Sequence, residues 1–141
     1  MTLQESISSN TNQDVKQPGG VVLYQTPYLR FLRNDKYYHL NCLDENILEK
    51  RELVSFIQYA RSVYRVEPYE SLLIQPGKGS NVDIDSWSIL TKVKFEKAKS
   101  LRIAFVSSSL YQGLLLKRLQ ILNDNVKVFA DKKSALKWLQ N

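Results

Sequence analysis

At 141 residues, with 43% hydrophobic and 24% charged residues, the chain can bury one core but not two independent ones, and its composition excludes a collagen-like or wholly disordered protein. A single cysteine, Cys42, and a single histidine, His39, exclude an internal disulfide and a multi-cysteine zinc site. The net charge of +6 is uneven: residues 1–85 hold 9 Lys+Arg against 11 Asp+Glu, whereas residues 86–141 hold 11 against 3.

Residues 1–19 are rich in Ser, Asn, Gln and Thr with isolated apolar residues, too few to offset the entropy of ordering, and predict a flexible tail before a domain spanning 20–141. The opening has no basic stretch followed by an apolar run, and nowhere do eighteen apolar residues run together. The expectation is therefore a cytoplasmic chain without a transmembrane segment. After Gly19 and Gly20, "VVLYQT", "YLRFLRN" and "KYYHLNC" are short aromatic and β-branched runs that predict a β-meander. Asn34-Asp35 reads as a tight two-residue turn with Leu32 and Tyr37 as cross-strand neighbours.

From Asp44 the period changes. Leu53, Val54, Ile57, Ala60 and Tyr64 recur at helical spacing up to Pro68, with charged residues between them. "SLLIQ" at 71–75 is a buried strand, followed by the loop "PGKGSNVD" and a helix predicted over 86–99 with Ile89, Leu90, Val93 and Ala98 on one side. "RIAFV" reads as a strand, 110–122 as a helix packing through Leu115, Leu119 and Leu122, "VKVF" as a strand and 132–140 as a closing helix. Strands alternating with helices require parallel crossovers, so the fold class is α/β: a mixed sheet with an N-terminal meander and packed helices.

No catalytic or metal-binding constellation stands out, and no cofactor is expected. Ser86, beside Asp85 at a helix mouth, is either a phospho-acceptor, held by free N–H groups and the helix dipole, or part of a cap that Asp83, Asp85 or Ser86 itself supplies. "GKGS" at 77–80 lacks the spacing of a P-loop, but Lys78 at a strand end could meet an anion. So could Ser107, Ser108 and Ser109 between a strand and a helix, where capping is the plainer role. Tyr24, Tyr28, Phe31, Tyr37 and Tyr38 suggest core packing, with a docking or stacking face as the alternative. Lys92, Lys94, Lys97, Lys99, Lys132, Lys133 and Lys137 suggest a solvated face; nucleic acid is not the expected partner because no recognised motif accompanies them.

The closing stretch "RIAFVSSSLYQGLLLKRLQ…VKVFADKKSALKWLQ" is similar to the end of STAS-like proteins of the SpoIIAA-like branch, through Val128, Phe129, Asp131, Ala135, Leu136, Trp138 and Leu139. "VVLYQTPYLRFLRNDKYYHL" resembles their opening strands. The resemblance implies a STAS-like fold over residues 20–141 and a non-catalytic regulatory or protein-interaction module in a bacterial cytoplasm, partnered by another protein or a second copy. In the anti-sigma antagonists a serine within Asp-Ser-Ser-Gly is phosphorylated; Asp85 and Ser86 match its first two positions, and Trp87 and Ser88 replace the others. A carrier or sensor for a small apolar or anionic ligand and a switch acting through Ser86 are the alternatives.

Overall fold

A computed structural model describes residues 15–17 (backbone), 20–43, 48–78 and 82–141. The expected tail at 1–14 and 18–19, and Gly79 and Ser80 of the "GKGS" loop, lie outside these residues. Within the tail, the backbone of Val15–Gln17 forms a short strand, β1. It is followed by β2 (Gly20–Gln25), β3 (Leu29–Arg33), β4 (Tyr38–Cys42), α1 (Lys50–Val66), β5 (Ser71–Gln75), α2 (Ile84–Lys92), β6 (Arg102–Val106), α3 (Leu110–Leu122), β7 (Val126–Phe129) and α4 (Lys132–Leu139). The seven strands form one sheet in sequential order, antiparallel from β1 to β4 and parallel from β4 to β7.

Because each parallel strand is added on the same side of the last, right-handed crossovers carry α1, α2 and α3 over one face. The two-residue period of the strands then divides the core. Leu72 and Ile74 of β5 and Ile103 and Phe105 of β6 meet the three crossover helices through Leu53, Phe56, Ile57, Trp87, Leu90, Leu116 and Leu119. Leu73, Ala104 and Val106 point the other way and are covered by Ala135 and Leu139 of α4. With both faces covered, β5 and β6 read as unbroken apolar runs, and each fully buried Leu, Ile or Phe contributes about 1.5–3 kcal/mol.

Two expected elements differ. Lys36, not Asn34 or Asp35, takes the left-handed conformation (φ 68°) in a four-residue connection, so Leu32 pairs with His39 rather than facing Tyr37. The helix expected over 86–99 ends at Lys92, where Val93 turns extended. From there Phe95 reaches back to lie flat on Tyr64, ring centroids 4.1 Å apart and planes 11° apart, and Ala98 and Leu101 are buried after it. A continued helix would have presented these side chains on a different arc, and aromatic stacking in the core outweighs the helical propensity of a lysine-rich stretch.

Candidate functional site

The parallel strands all point their carboxyl ends to one rim, where open α/β sheets place their functional loops. There β5 ends in Pro76-Gly77-Lys78, β6 in Ser107-Ser108-Ser109 and β7 in Ala130-Asp131, so Lys78 and the three serines do share one end of the sheet. Gln112, fully buried in the first turn of α3, ties them together: its Oε1 accepts from the Ser108 amide at 2.8 Å and its Nε2 donates to the Gly77 carbonyl at 3.2 Å. Ser109 is the N-cap of α3, accepting from the Gln112 amide at 3.1 Å. Ser107 donates both its amide (2.9 Å) and its hydroxyl (3.3 Å) to the Phe129 carbonyl. Ser109 therefore caps α3, whereas Ser107 joins β6 to β7 and the Ser108 amide is held by Gln112. Sequence reasoning passed over Gln112 altogether.

Ser86 sits at the third position of α2, only 2% exposed. The cap is Asp83, whose Oδ1 accepts from the amides of Asp85 (3.1 Å) and Ser86 (3.4 Å) while the Ser86 hydroxyl donates to its Oδ2 at 2.8 Å. All three bonds end on the Asp83 carboxylate, so Asp83 is the cap and the Ser86 hydroxyl helps to hold it in place. Asp85 is exposed, and Trp87 next to it is buried edge-on against Phe105.

Other expected features take structural places. Phe31 and Tyr38 are core, Tyr24 stacks on Tyr59, Tyr37 is half-buried, and Tyr28 alone of the five meander aromatics is exposed. Trp138 fastens α4 to the sheet, with the Arg102 guanidinium 4.1 Å above its ring and Arg102 Nη2 donating to its carbonyl at 2.6 Å. Lys92, Lys94, Lys97 and Lys99 lie before the amino end of β6, whereas Lys132 and Lys133 follow the carboxyl end of β7; Lys137 lies in the last turn of α4, beside Trp138, whose carbonyl accepts from Arg102 at the start of β6. Burial pushes the Cys42 thiol up to about 12, which leaves it a small apolar side chain. His39 donates from Nε2 to Gln75 Oε1 at 2.6 Å, with Nδ1 buried and unpartnered; burial, then the nearby Lys132, lower its pKa to about 4.

The feature of this rim that serves no internal purpose is the outer face of α3. The sequence expectation of Leu115, Leu119 and Leu122 as its packing side is corrected: Gln112, Gly113, Leu116 and Leu119 are buried and Leu122 is exposed. A Cβ on Gly113 would lie 3.1 Å from Ser107 Oγ, so glycine lets this side of the helix settle closely on the end of β6. The opposite side shows Leu110, Leu114 and Ile121 at 84%, 58% and 80% exposure, flanked by exposed Tyr111 and Leu122. Between α3 and β7 runs a cleft of about 360 Å³, lined by Ser107, Leu110, Leu114, Lys117, Val128 and Phe129 among others. Among the described residues that line it, Lys117 is the one ionisable side chain.

Among the described residues no group of three or more His, Cys, Asp or Glu is arranged to hold a metal ion, and no helix is long and apolar enough to cross a membrane. No family model matches the chain, and no curated protein is significantly similar to it.

Proposed function

We propose that the chain is a non-catalytic, regulatory protein-interaction module of the STAS-like, SpoIIAA-like type, and that α3 is its docking element. The observation that carries this reading is the exposed apolar stripe Leu110, Leu114 and Ile121, three large side chains four and seven residues apart on a helix whose other side is already buried. Isolated exposed leucines are ordinary on soluble proteins, but a contiguous run beside a cleft marks a surface that another molecule covers. The mixed sheet with its antiparallel meander and the short β7–α4 unit fastened through Ala135, Trp138 and Leu139 support the STAS-like part.

A carrier would need an enclosed pocket, whereas this cleft opens along the flank of α3 and continues into the exposed leucines. A switch through Ser86 would need a hydroxyl that a kinase can reach, and that hydroxyl is buried against Asp83. The test is a pair of tagged pull-downs from the source cells, using the native chain and the variant Leu114→Ser/Ile121→Ser, with co-purifying proteins read by mass spectrometry. A stoichiometric partner held by the native chain and lost from the variant is the expected result. A partner held equally by both would remove α3 from the interface.

A further inference from the structure

We infer that the α3 surface receives an acidic amphipathic helix, seated along the cleft between α3 and β7 with its carboxylates on Lys117 and Arg118. This rests on the interaction reading above and names the partner's chemistry. At 100° per residue, Leu110, Ile121 and Leu114 fall within about 40° of one another on α3, with Lys117 on the flank towards β7 and Arg118 on the opposite flank. The helix carries these two cations and no acidic residue, and among the described residues neither has an ion pair or hydrogen bond. Asp131, which follows the cleft residue Ala130 in sequence, is the N-cap of α4 and accepts from the amide and hydroxyl of Ser134 at 2.8 and 3.1 Å. An apolar seam between unpaired positive flanks is matched by a helix with apolar residues at i, i+3, i+4 and i+7 and Asp or Glu beside them.

Two other occupants fit less well. A strand added to the edge of β7 would need that edge's outward amides. The Ile103 and Ser107 amides donate to Asn125 and Phe129, which leaves the amides of Val126 and Val128 facing away from β6. Both are already taken, Val126 by the Asn123 carbonyl at 3.2 Å and Val128 by Gln120 Oε1 at 2.9 Å. That is how an edge strand is closed to pairing. A second copy would pack α3 on α3 about a two-fold axis near Leu116, the middle of the helix, bringing Lys117 to Lys117 and Arg118 to Arg118 with no carboxylate on either helix. A bilayer surface would attract the cations, but it has no ridge to fill a cleft of about 360 Å³.

The test is selection of a displayed library of helical peptides, with a fixed apolar stripe and randomised flanks, on the full chain. Selected peptides are then titrated against the native chain, Leu114→Ser/Ile121→Ser and Lys117→Glu/Arg118→Glu, each checked for an unchanged melting temperature. The inference predicts clones rich in Asp and Glu and chemical-shift changes centred on Leu110, Leu114, Lys117 and Phe129. It also predicts binding weakened about tenfold or more by Lys117→Glu/Arg118→Glu, with charge-reversed peptides recovering affinity for that variant. Peptides that need Leu114 and Ile121 but ignore the charge reversal would overturn the acidic partner while leaving α3 as a docking face. Peptides indifferent to both variants would overturn the docking face as well. An empty selection, self-association abolished by Leu114→Ser/Ile121→Ser, or binding only to phosphatidylserine vesicles would each overturn the acidic helix.

Discussion

Gln112 on α3 donates its side-chain amide to the carbonyl of Gly77 beyond β5, a bond between residues 35 apart in sequence that closes the rim carrying the candidate site. Replacing Gln112 by Leu keeps most of its volume but leaves this carbonyl and the Ser108 amide, both partly buried, without their partner. An unpaired buried polar group costs about 1–3 kcal/mol, so Gln112→Leu is expected to destabilise the fold by about 2 kcal/mol in urea melts. Faster amide exchange should accompany it in the first turn of α3. A loss below about 0.5 kcal/mol would mean that the bridge is incidental.

His39 gives the fold a pH dependence. Its ordinary value is 6.5 and burial lowers it to about 4 in the folded chain, because a proton on Nδ1 would find no acceptor and would face Lys132. Below pH 6.5 the unfolded chain therefore takes up a proton that the folded chain refuses. Above 6.5 the histidine is neutral in both states and adds no pH-dependent cost, and stability falls as pH drops from 6.5 towards 4. Between pH 7.5 and 5 the loss is on the order of 2 kcal/mol. Chemical melts across that range should show the decline in the native chain and a flatter profile in His39→Gln; parallel profiles would assign the dependence to other groups.

Phe95 should behave as a core residue despite lying outside any helix or strand. Its ring covers Tyr64, which in turn meets Tyr38 at 4.9 Å, so truncation opens a cavity in a connected aromatic cluster. Phe95→Ala is expected to cost about 3–5 kcal/mol, and Phe95→Leu clearly less. A thermal melt of each variant decides the matter, and a small effect of Phe95→Ala would contradict the burial assigned to the 93–101 connection.

At the mouth of α2 the roles of Asp83 and Ser86 are separable. Asp83→Ala removes the acceptor for two backbone amides and should cost about 1–2 kcal/mol, whereas Ser86→Ala removes one hydroxyl bond and should cost about 1 kcal/mol or less. Ser86→Asp, which forces a second carboxylate against Asp83 in a buried setting, should destabilise more than either. If Ser86→Asp melts like the native chain, Ser86 is more accessible than its burial implies.

The sequence revealed the elements better than the surfaces they present. The runs 71–75 and 102–106 were legible as strands because both faces are covered, 126–129 because Val126, Val128 and Phe129 are apolar and β-favouring around the exposed Lys127, and α3 was bounded correctly at 110–122 because Ser109 caps it and Asn123 ends it. The buried side of α3 was not legible. Apolar residues surround that helix, so periodicity selects no face, and the decision is made by Gly113 against Ser107 and by Gln112 reaching Gly77. Gln112 carries no signal of its own, since a glutamine among leucines reads as solvent-facing. The early end of α2 was hidden for a related reason: the contact between Phe95 and Tyr64 spans 31 residues, and local propensity contains nothing about it.

The docking role of α3 is tested most directly by a photo-reactive amino acid placed in living cells at Leu114, with a control at Val66, which is also apolar and highly exposed but lies at the end of α1. Illumination followed by mass spectrometry should yield a discrete protein adduct from position 114 and none from position 66. Adducts at both positions alike, or at neither, would contradict α3 as the interaction surface.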